Sequence, residues 1–292
     1  MITQLVQTFI RAYVKTGWRG ATRVPGYLAN CLPMLHEAEI RIADWPPIYM
    51  DLRQGSALDW FIGSPWKACP YERSEQGVMQ RFVRPGMTVH DVGANVGVHA
   101  ALLSHLVGPS GRVIMFEPNP ALTSNLKRAA RAMGNATMMS VALSDENRRC
   151  TFFVPDDHMC GSLFDWTGNI GLAETARPIE VTTARLETLV REGRVPSPQF
   201  MKVDAEAAET KIFMVARELL NSDAAPIILY EALHNFGRDT FSATRFLLSL
   251  PIPDYKVFRV LPDATLTPFD DQEGNLVAIP GRTTVPGSRD SA

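Results

Sequence analysis

The sequence predicts an α/β fold in which an open, mostly parallel sheet is covered by crossover helices. Apolar runs of strand length alternate with helical stretches across most of the chain, and this alternation is typical of parallel sheets. Two consecutive strands also end in an acid, the first at Asp91 before a glycine turn and the second at Glu117. Because ligands bind outside the carboxyl ends of strands in such sheets, these acids predict a nucleotide-type pocket.

The N-terminal region is predicted to begin with an amphipathic helix. Apolar residues recur there at helical spacing, at Ile2, Leu5, Val6, Phe9, Ile10 and Tyr13. Short strands are predicted on either side of Pro46-Pro47, at Ile40–Ala43 and Ile48–Leu52, and a third at Asp59–Ile62. We therefore expect residues 1–49 to form an N-terminal helical and β extension.

The elements of a principal domain are predicted over residues 50–282, followed by a flexible tail at 283–292. Its predicted parallel strands are Thr88–Val92, Arg112–Phe116, Thr137–Leu143, Phe200–Val203 and Ile227–Tyr230. Its predicted helices are Gln76–Val83, His99–Val107, Ala121–Met133, Glu206–Leu220 and Ser242–Ser249. Two β-rich runs, Cys150–Val154 and Ile179–Thr183, flank a polar loop, and Tyr255–Val260 and Leu276–Ile279 are expected as antiparallel edge strands.

Composition excludes several classes of protein. The chain has 292 residues, of which 46% are hydrophobic and 21% charged, as in ordinary globular proteins. A formal charge of -2 and the lack of a basic, aromatic-interleaved stripe argue against nucleic acid as a partner. Four scattered cysteines without a C-x-x-C pair indicate reduced thiols, so we expect a cytoplasmic protein.

The spacing of the first glycine turn distinguishes between cofactors. A dinucleotide fingerprint requires G-x-G-x-x-G, whereas this chain has Gly93 and Gly97 with Ala94 and Asn95 between them. Asp91 would repel a pyrophosphate but suits a cofactor that carries an ammonium group and a sulfonium. No Gly-Lys-Ser/Thr follows, which excludes a P-loop. The pattern therefore favours S-adenosylmethionine.

A series of motifs occurs in a specific order between about Met50 and Pro280: Tyr71-Glu72, Pro85-Gly86-Met87, Asp91 to Gly97, Phe116-Glu117-Pro118-Asn119, Ala142 to Asp145, Ser162-Leu163, Lys202 to Glu209 and Asn275-Leu276. This combination resembles the FkbM-type methyltransferases. The resemblance implies a seven-stranded, Rossmann-like class I fold and methylation of a hydroxyl on a sugar, glycan or secondary metabolite. Two departures are Ala207, where the family has glycine, and His90, where it has an apolar residue.

Both strand ends supply candidate cofactor contacts. The residues expected at the methionine end are Asp91, Gly93, Ala94, Asn95 and Gly97. Glu117 should accept hydrogen bonds from both ribose hydroxyls, with Asn119 supporting it. Ala142 and Ser144 are expected at the adenine, and Asp145 either contacts the adenine amine or only initiates a turn.

Candidate catalytic groups follow the two later parallel strands. Methylation of a hydroxyl requires removal of its proton, which calls for a carboxylate or a histidine near the methyl group. Asp204 is the first choice, with Glu206 beside it, and Glu231 with His234 is the alternative pair. The competing interpretations are that the acids complement a helix dipole and that His234 only bridges loops.

A metal ion is a second option at the same edge. Asp204, Glu206 and Glu231 could bind magnesium or calcium and lower the pKa of the acceptor hydroxyl. No dedicated metal-binding motif accompanies them, so catalysis without a metal is favoured.

Other functions and partners stay open. The domain could bind the cofactor as a non-catalytic scaffold, or it could be a nucleotide-dependent oxidoreductase. The amphipathic helix could pack on the domain, dock on a partner chain or on an anionic membrane surface, and a homo-oligomer is compatible with the sequence.

Overall fold

A large mixed sheet organises the structure, a computed structural model that describes residues 2–16, 23–53, 70–155, 161–164, 176–232 and 241–283. The strands in chain order are β1 (Ala38–Ile40), β2 (Ile48–Met50), β3 (Thr88–Val92), β4 (Arg112–Phe116), β5 (Ala136–Met139), β6 (Ala142–Leu143), β7 (Arg149–Pro155), β8 (Ala176–Ala184), β9 (Phe200–Val203), β10 (Ile227–Ala232), β11 (Lys256–Val260), β12 (Leu266–Pro268) and β13 (Gly274–Ile279). Eight of these described strands form the large sheet, in the order β12-β11-β13-β10-β9-β3-β4-β5.

Helices cover both faces of this sheet. In chain order they are α1 (Ile2–Lys15), α2 (Val24–Cys31), α3 (Pro70–Phe82), α4 (Val98–Val107), α5 (Pro120–Met133), α6 (Leu186–Arg191), α7 (Glu209–Val215), α8 (Arg217–Leu220) and α9 (Ser242–Leu248). A core with α3, α4 and α5 lies on one face, centred on Val89, Phe200 and Leu229. A core with α6 to α9 lies on the other face, where Phe213 packs against Tyr230.

The strand order confirms the predicted class I methyltransferase fold. The strands β10, β9, β3, β4 and β5 are parallel, and β13 runs antiparallel between β10 and β11. The predicted edge positions of Tyr255–Val260 and Leu276–Ile279 are wrong, because β13 pairs with both β10 and β11, and β11 pairs with both β13 and β12. The additional strand β12, which the sequence analysis did not predict, forms the antiparallel edge instead.

Three predicted elements have different bounds in the structure. The strand predicted at Ile40–Ala43 lies at Ala38–Ile40, and Ala43 adopts a φ of 47° outside it. The predicted strand Thr137–Leu143 is two strands, β5 and β6, which belong to different sheets. The helix predicted from Glu206 begins only at Glu209. The predicted strand Asp59–Ile62 lies outside the described residues.

The N-terminal region packs against the principal domain. The strands β1 and β2 form a separate antiparallel hairpin. Ile10 of α1 is buried in a cluster with that hairpin and with Val98 and Ala101 of α4. The apolar face of α1 is thus used within the chain, although Leu5 and Phe9 remain exposed. No helix among the described residues combines the length and apolar character that crossing a membrane requires.

Candidate active site

A cleft lies at the carboxyl ends of β3, β4 and β9, where the sequence predicts a pocket. It encloses about 810 Å³, including the part open to solvent. Its floor is the turn from Gly93 to Val98, and Glu117 and Asp204 line its sides. Phe152 of β7 and Gly161 close it from above the strand ends. A second, smaller cavity continues from it along Val141, Ala142, Leu143 and Leu163.

The first turn is shaped by two glycines with positive φ. Gly93 has a φ of 75°, and a side chain there would overlap the carbonyl oxygen of Asp204. This close approach brings the ends of β3 and β9 together. Gly97 has a φ of 89° and precedes α4 without a side-chain cap. The first amides of α4 are thus available to a carboxylate, as a helix N-terminus favours.

Glu117 is oriented by the main chain on both sides. Its Oε2 accepts a hydrogen bond from the amide of Asn95 and its Oε1 from the amide of Asn119, both at 2.9 Å. Burial raises the pKa of Glu117 to about 7, although these two amides lower it. The carboxylate therefore joins the ends of β3 and β4 and lines the cleft with acceptor capacity remaining on both oxygens.

The other predicted cofactor residues divide into two groups. Ala94 and Asn95 line the main cleft, as does Asn119, whose Oδ1 also caps α5 through the amide of Ala121. Ala142 lines the smaller, mainly apolar cavity, which suits the flat face of an adenine.

Ser144 and Asp145 line neither cavity. The Ser144 hydroxyl donates to Asp145 Oδ1 at 2.9 Å, and Lys211 forms an ion pair with Asp145 at 3.4 Å. These contacts support the turn-initiating interpretation of Asp145. Adenine contact through Ser144 and Asp145 is not supported by this arrangement.

Asp91 lies beneath the cleft and does not line it. Its side chain is completely buried on β3, and neither oxygen accepts a hydrogen bond of good geometry from the described residues. Burial raises the pKa of Asp91 to about 6, while Lys202 and a weak interaction with the amide of Ala100 lower it. Lys202 occupies the facing position in the register of β3 and β9. This arrangement therefore does not favour the expected direct contact between Asp91 and the ammonium group of the cofactor's methionine moiety.

The side of the cleft at the end of β9 brings together some of the predicted catalytic residues. Asp204 and Glu206 line it. Glu231 lies at the end of β10, where burial and then Asp204, Glu206 and Glu75 raise its pKa to about 9. Burial and these neighbouring acids thus favour the protonated form of Glu231. His234 lies outside the described residues.

The loop after β9 differs from the predicted helical turn. Glu206 and Ala207 have φ values of 49° and 76°, so Glu206 does not share a helix face with Glu209. The buried Glu209 carboxylate accepts a hydrogen bond from the amide of Ala205 at 2.8 Å. Its role is thus to stabilise the loop. The Ser162 hydroxyl also donates to the carbonyl oxygen of Glu206, which explains the Ser162-Leu163 motif.

Two ionisable residues that line the cleft were not predicted as site residues. Lys202 is buried and donates from Nζ to Asp204 Oδ2 at 2.9 Å. In the sequence, Lys202 could have been recognised as a charged residue inside an otherwise apolar strand. His99 lines the cleft with Nε2 3.8 Å from Glu75 Oε2, and burial lowers its pKa to about 3, so the ring is neutral. In the sequence, only the position of His99 just after the glycine turn indicated that it could belong to the site.

The acidic residues of the cleft do not form a metal centre within the described part of the chain. No group of three or more histidine, cysteine, aspartate or glutamate side chains is placed there to hold an ion. The cofactor fits better, because a glycine turn, an uncapped helix and a buried carboxylate surround the main cavity. Glu117 and the amides of α4 would hold it.

Comparison with known proteins agrees with this geometry. The model of the "Methyltransferase FkbM domain" matches residues 91–259. A 31-O-demethyl-FK506 methyltransferase FkbM from Streptomyces tacrolimicus is 30% identical over 155 residues, covering 44% of this chain and 59% of its own. The hexuronic acid methyltransferase AglP from Haloferax volcanii is 27% identical over 154 residues, which cover 51% of this chain and 59% of the relative.

A solved methyltransferase FkbM from Methylobacillus flagellatus superposes with a TM-score of 0.46 at 17% identity, covering 89% of this chain and 59% of its own. The chain spans about three-fifths of the length of the two curated relatives. The family match covers more than half of the chain, and it includes both glycines of the first turn, Glu117 and Asp204. The protein belongs to the FkbM methyltransferase family.

Proposed function

We propose that the protein is an S-adenosylmethionine-dependent O-methyltransferase. The observation that carries the proposal is Glu117, a buried carboxylate held by two main-chain amides at the end of β4. A carboxylate at this strand end suits the paired hydroxyls of a ribose. The cofactor would supply an electrophilic methyl group on sulfonium. The uncapped start of α4 favours its carboxylate, and the apolar cavity at Ala142 favours its adenine.

Asp204 is the proposed proton acceptor of the reaction. Its side chain is about one-third exposed to the cleft, and a positive charge from Lys202 holds one of its oxygens. Methyl transfer requires alignment of the acceptor oxygen with the methyl carbon, and the walls of the cleft supply that positioning. Asp204 then accepts the hydroxyl proton. His99 is disfavoured as this base, because its lowered pKa reflects a poor proton affinity.

The proposed acceptor is a hydroxyl of a sugar, glycan or secondary metabolite. The proposal draws on the relatives, one of which is named for 31-O-demethyl-FK506 and another for hexuronic acid. A hydroxyl acceptor also agrees with Asp204, since an alcohol must lose a proton on methylation. Docking through α1 and self-association stay predictions.

Calorimetry tests the cofactor half of the proposal. The protein should bind S-adenosylmethionine with micromolar affinity, roughly 8 kcal/mol. Glu117→Ala removes two charge-assisted hydrogen bonds and should weaken binding by about 3 kcal/mol, or roughly 100-fold. Asp145→Ala is the matched control, because Asp145 lies outside both cavities. Equal affinity of the wild type and Glu117→Ala would refute the ribose assignment, and tight binding of NAD instead would support an oxidoreductase.

Transfer of a labelled methyl group tests the catalytic half. The panel of acceptors should include neutral glycosides, uronic acids and hydroxylated macrolactones. Asp204→Asn should lower kcat by about two to four orders of magnitude while cofactor affinity changes little. Asp145→Asn again serves as control. If every acceptor fails although the cofactor binds, the non-catalytic scaffold becomes the better description.

A further inference from the structure

The cleft contains one buried cation whose role is not explained by cofactor binding. Lys202 is the only lysine or arginine classed as buried among the described residues. It lies on β9 between Met201 and Val203, both completely buried. Taking an ammonium group out of water costs several kcal/mol unless it is paired. Its position therefore depends on the acids around it.

Acids on three separate elements surround the Lys202 ammonium. Asp204, directly after β9, accepts its hydrogen bond, Asp91 faces it across the pairing of β3 and β9, and Glu75 acts on it from α3. Burial alone would lower the pKa of Lys202, but these three acids raise it above its ordinary value. Lys202 therefore stays protonated and cannot itself be the base of the reaction.

Four carboxyl groups and a neutral histidine also lie near Asp204. The carboxyl groups near it belong to Asp91 on β3, Glu206 in its own loop, Glu209 on α7 and Glu231 on β10. His99 on α4 faces it as a neutral ring. Within the described part of the chain, Lys202 is thus the cation that offsets this crowding of acids.

We propose that Lys202 is a positioning residue: its ammonium group fixes Asp204 Oδ2 and supplies the positive charge beside the carboxyl group that accepts the proton. In the balanced step, Asp204 takes the hydroxyl proton while the acceptor oxygen forms its bond to the methyl carbon. The bond from that carbon to sulfur breaks, and its electron pair stays on sulfur. This inference rests on the proposed function, because it assigns a proton-accepting role to Asp204.

The pH dependence of kcat tests the inference with the acceptor that gives turnover. Lys202→Met should move the acid limb of the profile up by about one to three pH units, since loss of a neighbouring opposite charge shifts ionisation by that amount. Lys202→Arg retains the charge and should leave the limb near its wild-type position. Lys211→Met, which removes an exposed cation paired with Asp145, is the matched control. If Lys202→Met does not fold, Lys202→Gln is the smaller change.

A combination with Asp204→Asn separates positioning from a general structural effect. If Lys202 acts through Asp204, then Lys202→Met should change kcat by less than twofold in the Asp204→Asn background. The inference is wrong if Lys202→Met does not move the acid limb of the pH profile. It is also wrong if Lys202→Met has the same effect on kcat with Asp204 present as in the Asp204→Asn background.

A second readout needs no acceptor. In protein labelled with ¹³C at aspartate carboxyl carbons, the resonance lost in Asp204→Asn identifies Asp204. That resonance should titrate at higher pH in Lys202→Met than in the wild type. If it shifts while no acceptor is methylated, the proposed function fails and the Lys202 inference stands. If methylation occurs and the resonance does not shift, the inference fails and the function stands.

Discussion

At the scale of the residue, Glu117 couples cofactor binding to protonation. Burial holds the pKa of its carboxyl group at about 7, well above its ordinary value. Only the ionised form presents acceptors to both ribose hydroxyls. The same burial that makes the interaction strong therefore makes it sensitive to pH near neutrality.

The dissociation constant of S-adenosylmethionine should accordingly rise about tenfold per pH unit below pH 7 and become constant above it. Binding between pH 6 and 7 should also release protons, which calorimetry detects as a dependence of the measured heat on the buffer. Glu117→Gln keeps the shape of the side chain and should abolish both effects. A pH dependence of equal size in Glu117→Gln would assign the titration to another group, of which Asp91 is the first candidate.

At the scale of the element, the backbone of the loop between β9 and α7 explains why the family has glycine at the position of Ala207. Ala207 has a φ of 76°, a conformation that costs a residue with a side chain roughly 1–2 kcal/mol. The loop keeps this conformation because Glu209 and Ser162 bind it on both sides. Ala207 thus places strain in a loop that these two side chains hold in position.

Replacing Ala207 by glycine should stabilise the protein by about 0.5–1 kcal/mol. The relief of strain exceeds the entropy that glycine adds to the unfolded chain. Urea unfolding of both proteins measures the difference. Ala208→Gly is the neighbouring control: Ala208 is buried and has a φ of −92°, so glycine there should destabilise by about 1 kcal/mol. A loss of stability in Ala207→Gly would contradict the strained backbone.

The helix α1 is attached to the domain by one face only. Ile10 is 1% exposed and contacts the cluster shared with α4, whereas Phe9 is 69% exposed. Ile10→Ala should therefore cost about 2–5 kcal/mol in the free energy of unfolding, and Phe9→Ala less than about 0.5 kcal/mol. Thermal and urea unfolding give both values. Equal costs would mean that α1 packs in a different orientation.

At the scale of the whole molecule, buried carboxyl groups make stability dependent on pH. Burial raises the pKa of Glu231 to about 9 and those of Glu117 and Glu209 to about 7. In each case the folded protein holds a proton that the unfolded chain has released, so stability falls as pH rises through the folded value. His90 and His99, with pKa values lowered to about 4 and 3, act only at lower pH.

The free energy of unfolding should thus decrease by on the order of 2 kcal/mol between pH 7 and pH 9. Urea titrations at constant ionic strength measure this slope. Glu231→Gln should flatten it, because the amide does not ionise. A stability that rises over this range would show that Glu231 is ionised in the folded protein.

The local patterns of the sequence were sufficient for the fold and for placing Glu117 and the first glycine turn at the cleft. Alternating elements, a glycine turn after Val92 and an acid at the end of β4 are features of short segments, and each has its structural meaning wherever the segment folds. Strand bounds at Thr88–Val92, Arg112–Phe116 and Phe200–Val203 were therefore predicted correctly. The family itself followed from the order of those segments.

The tertiary structure alone decided which charged groups meet. Asp91 lies opposite Lys202 only because β3 pairs with β9 in one register, and the sequence separates them by more than a hundred positions. The same pairing puts Asp91 beneath the cleft, while Asp145 lies outside it and pairs with Lys211. Electrostatic interaction depends on distance and burial and not on chain order, so these roles became visible only in the folded protein.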